Sequence, residues 1–195
     1  MWRSLCAAGF LALGAVRATT QSDALWSAPD SRAFASDEAG LRSAHAASPR
    51  ATAISVELGL TAERAGRVSE AEEILLDAAR LDRQYLPAWS LANFYFRRTN
   101  EAAFWKWAAP AARLCPDDLR PLLRLGEQLE PQAPKVAERL GGGPRVLRVY
   151  LDLLIGDRRW EEARVIADRL SRKGIPADGP RLADFAERLR QIETK

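Results

Sequence analysis

The chain has 195 residues, of which 47% are hydrophobic, and this composition excludes a mostly disordered or collagen-like protein. Its 29 Lys and Arg residues barely outnumber its 26 Asp and Glu residues, which is a weak electrostatic footprint for nucleic-acid binding. One His and two Cys exclude most zinc sites and any disulfide framework, and the length predicts a single domain.

Residues 1–20 have the pattern of an export leader. Arg3 precedes an uncharged apolar run from Leu5 to Val16, which at about 1.5 Å per helical residue is too short to cross about 30 Å of hydrocarbon. The run matches the apolar region of a secretory signal peptide, and Val16-Arg17-Ala18 offers a cleavage site. We therefore expect an exported, periplasmic or membrane-associated protein that contacts the membrane only through an uncleaved leader. The alternatives are a membrane anchor or the start of a buried helix.

Residues 21–50 predict an irregular N-terminal arm that ends in a degenerate half-repeat. Asp37-Glu38-Ala39 resembles the opening of a helix, which Leu41 and Ala44 continue. Such a half-unit would cover the N-terminal side of the first full repeat.

The stretch from Ala53 to Asp82 predicts two amphipathic helices that meet at Gly66. The first runs from about Thr52 to Ala65. The second is predicted to begin at Ser69, whose side chain would form a capping box with that of Glu72. Its predicted buried stripe has the spacing of three and four that one helix face requires: Ala71, Ile74, Leu75, Ala78 and Leu81.

The same pattern returns 34 residues later, because Trp89 follows Ser55 and Asn100 follows Gly66 at this interval. A third first helix is visible from Leu122 to Leu129. Pro131 and Pro134 then permit only a short helix, about Lys135 to Leu140. Gly141 to Gly143 end that helix, and a fourth pair is predicted over residues 147–154 and 163–170.

These helix pairs resemble the tetratricopeptide repeat family, whose 34-residue pattern places Trp, Leu-Gly, Tyr, Ala, Phe and Pro at fixed positions. The best matching unit carries Trp89, Phe96, Phe104, Ala108 and Pro116, whereas the first unit departs from the pattern at Ser55, Ala62 and Arg83. The resemblance implies an all-α, right-handed α-solenoid of antiparallel helix pairs over residues 51–177. An amphipathic segment over 178–195 is expected to form a C-terminal capping helix.

In this family the first helix of each pair lines a concave groove. Carried over, the resemblance implies that the partner-binding residues are Ser90, Phe94, Arg97, Glu127, Arg148 and Asp152, with Val56, Leu60, Glu63 and Leu123 on the same faces. The Lys and Asn residues with which some members hold a peptide carboxylate do not stand at these positions, so that function is not expected. Phe94 and Trp105 are predicted to face outward, whereas Trp89, Phe96, Phe104 and Trp107 have the spacing of core residues.

Catalytic motifs are absent from the sequence. Gly141 to Gly143 do not form a phosphate-binding loop, and His45 has no sequence partner for a catalytic triad. Cys115 is expected to be a small buried hydrophobe. Acidic pairs such as Glu72-Glu73 stand near helix starts, where negative charge is favoured without any catalytic role.

We therefore expect a non-enzymatic bacterial scaffold or adaptor with no cofactor and no metal, which binds another protein or peptide in its concave groove. No nucleic-acid partner is expected. Two alternatives stay open: a helical-repeat protein that binds nucleic acid, and an accessory subunit of an envelope polysaccharide or secretion machinery.

Overall fold

The computed structural model describes residues 38–174, and this part of the chain consists of helices and short connections without a strand. The predicted all-α fold is confirmed there. The helices of the described range are α1 (Glu38–Ala47), α2 (Thr52–Arg64), α3 (Val68–Leu81), α4 (Tyr85–Arg97), α5 (Glu101–Leu114), α6 (Arg120–Leu129), α7 (Ala133–Arg139), α8 (Pro144–Gly156) and α9 (Trp160–Arg172). The predicted leader, the first part of the predicted arm and the predicted capping helix lie outside the described residues. Within 38–174, no helix is both long and apolar enough to span a membrane.

Helices that follow one another in the chain pack together in pairs: α2 with α3, α4 with α5, α6 with α7, and α8 with α9. The connections between consecutive helices have three to five residues, and such short connections place neighbours antiparallel. Contacts also join helices two apart in the chain, namely α2 with α4, α6 with α8, and α7 with α9. Each pair is therefore covered partly by its own members and partly by the next pair.

The turn between α2 and α3 explains why the predicted capping box is wrong. Gly66 adopts a left-handed conformation with φ of 79°, and the amide of Arg67 donates to the carbonyl of Ala62. The Arg67 carbonyl already accepts from the Ala71 amide, so α3 begins at Val68 and Ser69 lies inside the helix.

An asparagine and a proline define the starts of two later helices. Asn100 caps α5, because its side-chain oxygen accepts from the amide of Ala103 at 3.1 Å. Pro134 lies in the first turn of α7, where a missing N–H removes no helical hydrogen bond. The predicted short helix is present, and it begins two residues earlier than Lys135.

The core is continuous from α2 to α9 and contains most of the residues that the sequence predicts for it. Trp89, Phe104, Ala108 and Ala111 are buried, and Phe96 and Trp107 pack against them half-buried. The prediction for Leu81 is wrong, because α3 ends at this residue and leaves its side chain 57% exposed.

Two glycines, Gly59 and Gly126, allow close approach between helices. A Cβ atom at Gly59 would lie 2.8 Å from Cγ of Leu75. At Gly126 it would lie 2.9 Å from Cγ1 of Val136 and 3.1 Å from the Trp105 ring. Since interiors are close-packed, neither position has room for a side chain unless a neighbouring helix moves.

We predict that Gly126→Val destabilises the fold by about 2 kcal/mol, the middle of the range for overpacking a core. Valine would push α6 away from Val136 and Trp105, which are both stiff side chains. The matched control is Ala102→Val on the exposed side of α5. There the lower helix propensity of valine should reduce the free energy of unfolding by less than about 0.7 kcal/mol. Denaturant unfolding of the full chain measures both values, and equal losses would contradict the close approach at Gly126.

Candidate partner-binding surface

The residues predicted to line the groove lie on three helices. Ser90, Phe94 and Arg97 are on α4, Glu127 is on α6, and Arg148 and Asp152 are on α8. Ser90 and Phe94 are 4% and 1% exposed, so neither side chain offers a contact surface in this structure. The prediction that Phe94 faces outward is therefore wrong.

The burial of Phe94 follows from the position of α4. Nine consecutive residues of this helix, Pro87 to Tyr95, are buried, so α4 is enclosed on every side rather than on one stripe. The Phe94 ring meets the Tyr95 ring edge-on with centroids 5.2 Å apart, and the Arg98 guanidinium lies 5.6 Å from the Phe94 centroid. A central helix of this kind stabilises the core and contributes little area to a binding surface.

Trp105, the second aromatic residue predicted to face outward, is also buried, with 7% exposure. Its ring meets that of Phe104 edge-on at 4.9 Å and comes within van der Waals reach of Gly126 on α6. The Arg139 guanidinium of α7 lies 5.1 Å from the ring centroid. Trp105 therefore joins α5 to the third helix pair.

Arg97 is bound within the chain. Its guanidinium donates twice to the Glu63 carboxylate, with Nε–Oε1 and Nη2–Oε2 distances of 3.0 and 2.6 Å. The Glu63 side chain is only 9% exposed, and Arg98 adds a third nitrogen 3.4 Å from Oε1. A bidentate pair of this type is specific and holds α2 against α4.

Glu127 is the acceptor of a second, larger cluster. Its carboxylate accepts from the Tyr150 hydroxyl at 3.0 Å, from Arg124 at 3.1 Å and from Arg159. Arg159 also donates twice to Glu162, at 2.7 and 2.6 Å. Because the Tyr150 side chain is fully buried, Glu127 satisfies a hydroxyl that water does not reach.

Asp152 and Arg148 lie closer to solvent. Arg120 of α6 contacts Asp152 of α8 at 3.4 Å, and Arg124 contacts Asp157 at 2.7 Å. Arg148 is exposed on the same helix as Asp152. These two contacts join α6 to α8 and to the residue that follows it.

Four ion pairs share one spacing, and we call them the ion-pair ladder: Glu63–Arg97, Arg120–Asp152, Arg124–Asp157 and Glu127–Arg159. The partners are 34, 32, 33 and 32 residues apart in the chain. The sequence analysis placed Glu63, Arg97, Glu127 and Asp152 on the groove but did not predict the ion pairs that they form. Residues of opposite charge about one repeat length apart in the sequence could have indicated these ion pairs. Hydrophobic periodicity carries no information about them.

Two further residues that could carry chemistry are buried. Ser55 Oγ lies 3.1 Å from Nδ1 of His45, a partner that the sequence did not predict, and Ser55 is only 2% exposed. Cys115 is buried as predicted, with Sγ 3.5 Å from the Asp118 carbonyl oxygen. Within residues 38–174, no three His, Cys, Asp or Glu side chains come together as metal ligands.

Comparison of the chain with protein-family models, with curated proteins and with solved structures gives no match. The function must therefore be inferred from the geometry of the described residues.

All three tyrosines of the chain have a pKa that is raised above its ordinary value. Burial raises the pKa of Tyr95 to about 12, and its hydrogen bond to Glu72 adds to the shift. Burial is also the main cause that raises the pKa of Tyr85 and of Tyr150 well above the usual range, and the negative charge of Glu127 adds to it at Tyr150. The neutral phenols thus stabilise the fold.

We predict that the native protein shows little tyrosinate absorbance at about pH 10, where tyrosines in the urea-unfolded chain are about half ionised. A pKa raised by folding gives stability that is fully present below the unfolded value and is lost as the pH rises through the folded value. The free energy of unfolding should therefore decline from about pH 10 upward. An ultraviolet titration checks the first point, and ordinary half-ionisation at that pH in the folded state would contradict it.

We predict that Glu127→Ala lowers the free energy of unfolding by about 1–3 kcal/mol, because it leaves the buried Tyr150 hydroxyl without its acceptor, whereas Arg159 keeps its two hydrogen bonds to Glu162. The control, Asp77→Ala, removes the acid of an exposed ion pair with Arg80 and should change stability by less than about 1 kcal/mol. Denaturant unfolding compares the two, and similar effects would contradict a structural role for Glu127.

Proposed function

We propose that this chain is a non-catalytic scaffold or adaptor of the bacterial cell envelope, built as a right-handed α-solenoid of the tetratricopeptide type. The paired helices, their short connections and the contacts between helices two apart support this architecture. The ion-pair ladder supports it further, because it joins α2 to α4 and α6 to α8, the first helices of successive pairs. The apolar run of the leader supports the location.

The single observation that carries the binding proposal is the row of Arg residues on the first helices. Arg98, Arg120 and Arg124 keep 38%, 54% and 44% of their side chains exposed although each touches an acidic group. The exposed pairs Arg120–Asp152 and Arg124–Asp157 contribute about 0–1 kcal/mol each, so an acidic group of a partner can replace the internal one at small cost. Half-buried Leu60 on α2 stands three residues before Glu63, which Arg98 contacts, and it offers an apolar anchor at that end of the row. The proposed partner is a peptide or helix with acidic residues next to an apolar one.

The proposed contact surface keeps Arg148 and Asp152 from the predicted set and replaces its other four residues. Glu127 is left out because its carboxylate already accepts from three side chains of the chain. Ser90 and Phe94 are buried and belong to the core. Arg97 is held by nearly buried Glu63, so its charge reversal would damage the fold as well as any contact. We assign the contact surface to Leu60, Arg98, Arg120, Arg124, Arg148 and Asp152 and call it the first-helix surface.

We predict that the double variant Arg120→Gln, Arg148→Gln captures its protein partner about tenfold less well than the unaltered chain, which corresponds to about 1.4 kcal/mol. The matched control is Arg80→Gln, Arg113→Gln, which removes the same charge from exposed positions on the second helices α3 and α5. The measurement is affinity capture by the full chain from envelope and cytosolic extracts, with and without nuclease, read by mass spectrometry.

Circular dichroism must first show equal helicity for all variants. A nuclease-insensitive partner, lost with the first double variant and kept with the control, supports the adaptor. Equal loss in both variants would overturn the first-helix surface. Capture that disappears with nuclease would instead support the alternative of a helical-repeat protein that binds nucleic acid.

A further inference from the structure

Helix α1 is attached to the protein differently from the other helices. Leu41 is its one buried side chain, and this leucine lies outside the continuous core that joins α2 to α9. Leu58 on α2 is likewise buried and outside that core. Helix α1 therefore gains little of the apolar burial that fixes α4 or α8.

In addition to its packing on α2, helix α1 has a set of charged contacts. Glu38 accepts from Arg42 at 2.8 Å and from Arg67 at 2.5 Å, and Glu70 accepts from Arg42 at 2.5 Å and from Arg67 at 2.7 Å. The two carboxylates and two guanidiniums alternate, and we call this set the charge ring. It ties the first turns of α1 to the α2–α3 connection and to the start of α3.

The charge ring is open to solvent. Its side chains keep 32–48% of their area exposed, and hydrogen bonds from the arginines lower the pKa of both Glu38 and Glu70. The carboxylates are therefore charged at neutral pH, and dissolved ions can screen their attraction to the arginines. One further contact, between His45 and Ser55, lies at the other end of α1.

We propose that α1 is an electrostatic latch, docked on α2 and on the start of α3 at low ionic strength and released as a unit when salt screens the charge ring. Release uncovers Ser55, which His45 contacts, and Leu58, one turn further along the same face of α2. The residues between α1 and α2, Ser48 to Ala51, form the hinge, and α2 to α9 keep their core. This inference does not depend on the proposed partner.

The test is amide hydrogen exchange of the full chain, read by mass spectrometry, at roughly 0.01 M and roughly 1 M sodium chloride, where the Debye length falls from about 30 to about 3 Å. We expect exchange in α1 to accelerate about tenfold or more in high salt. Exchange in α8, which lies in the core, should stay unchanged and serves as the internal reference for folding. Salt-independent exchange in α1 would overturn the latch.

A pair of single variants isolates the charge ring. Arg67→Gln removes two of the four ion pairs without altering the sequence of α1, so α1 should exchange fast at both salt concentrations. Arg64→Gln, three residues earlier, removes an exposed pair with Glu57 and should exchange like the unaltered chain. If the two variants behave alike, the charge ring does not hold α1. Because the readout is exchange and not capture, this result is independent of the first-helix surface.

Discussion

The enclosure of α4 is the constraint on which the rest of the described structure depends. This helix contacts α2, α3 and α5, and its residues from Pro87 to Tyr95 are buried. At its C-terminal end, Arg97 and the following Arg98 contact the acid Glu63 of α2. An apolar helix without a free face can be stable only when other helices cover it on all sides. The removal of α4 from water therefore drives the packing of its neighbours around it. The contacts of Arg97 and Arg98 with Glu63 fix the register of α4 against α2.

The charged residues complete what apolar packing leaves undetermined. Apolar contacts favour close approach of two helices, but they discriminate weakly between neighbouring registers, because many apolar surfaces fit one another nearly as well. A bidentate contact such as that between Arg97 and Glu63 fits in one register only. The cluster around Glu127 does the same between α6 and the α8–α9 pair, where it also accepts from the buried Tyr150 hydroxyl. The ion-pair ladder thus specifies the arrangement more than it adds net stability.

Much of the fold could be predicted from the sequence, and the two misplaced aromatic residues have one physical cause. Helical spacing identified each helix from α2 to α9 but not all of the ends, since α8 is predicted over 147–154 and runs from Pro144 to Gly156. Leu75 and Ala78 are buried as their spacing predicts, whereas Leu81 at the end of α3 is exposed. Spacing shows which residues share a face, but it does not show what covers that face. Phe94 and Trp105 were misplaced for this reason, because their cover comes from other helices; Trp105 packs on Gly126, which lies 21 residues further along the chain. The capping box failed because the left-handed turn at Gly66 had already started α3.

Buried apolar contacts and exposed ion pairs respond differently to salt, and this difference distinguishes α1 from the core of α2 to α9. The burial of apolar area that holds α2 to α9 together does not weaken when simple salt is added, since it arises from the removal of apolar surface from water. The attraction between exposed charges falls off within a Debye length, which shortens as salt rises. Helix α1 has contacts of the second kind through Glu38 and Glu70, in addition to its packing on α2 and its single buried leucine. A helix held in this way lies at the low end of the local stabilities of a protein, and the surface beneath it is covered only as long as the ions in solution permit.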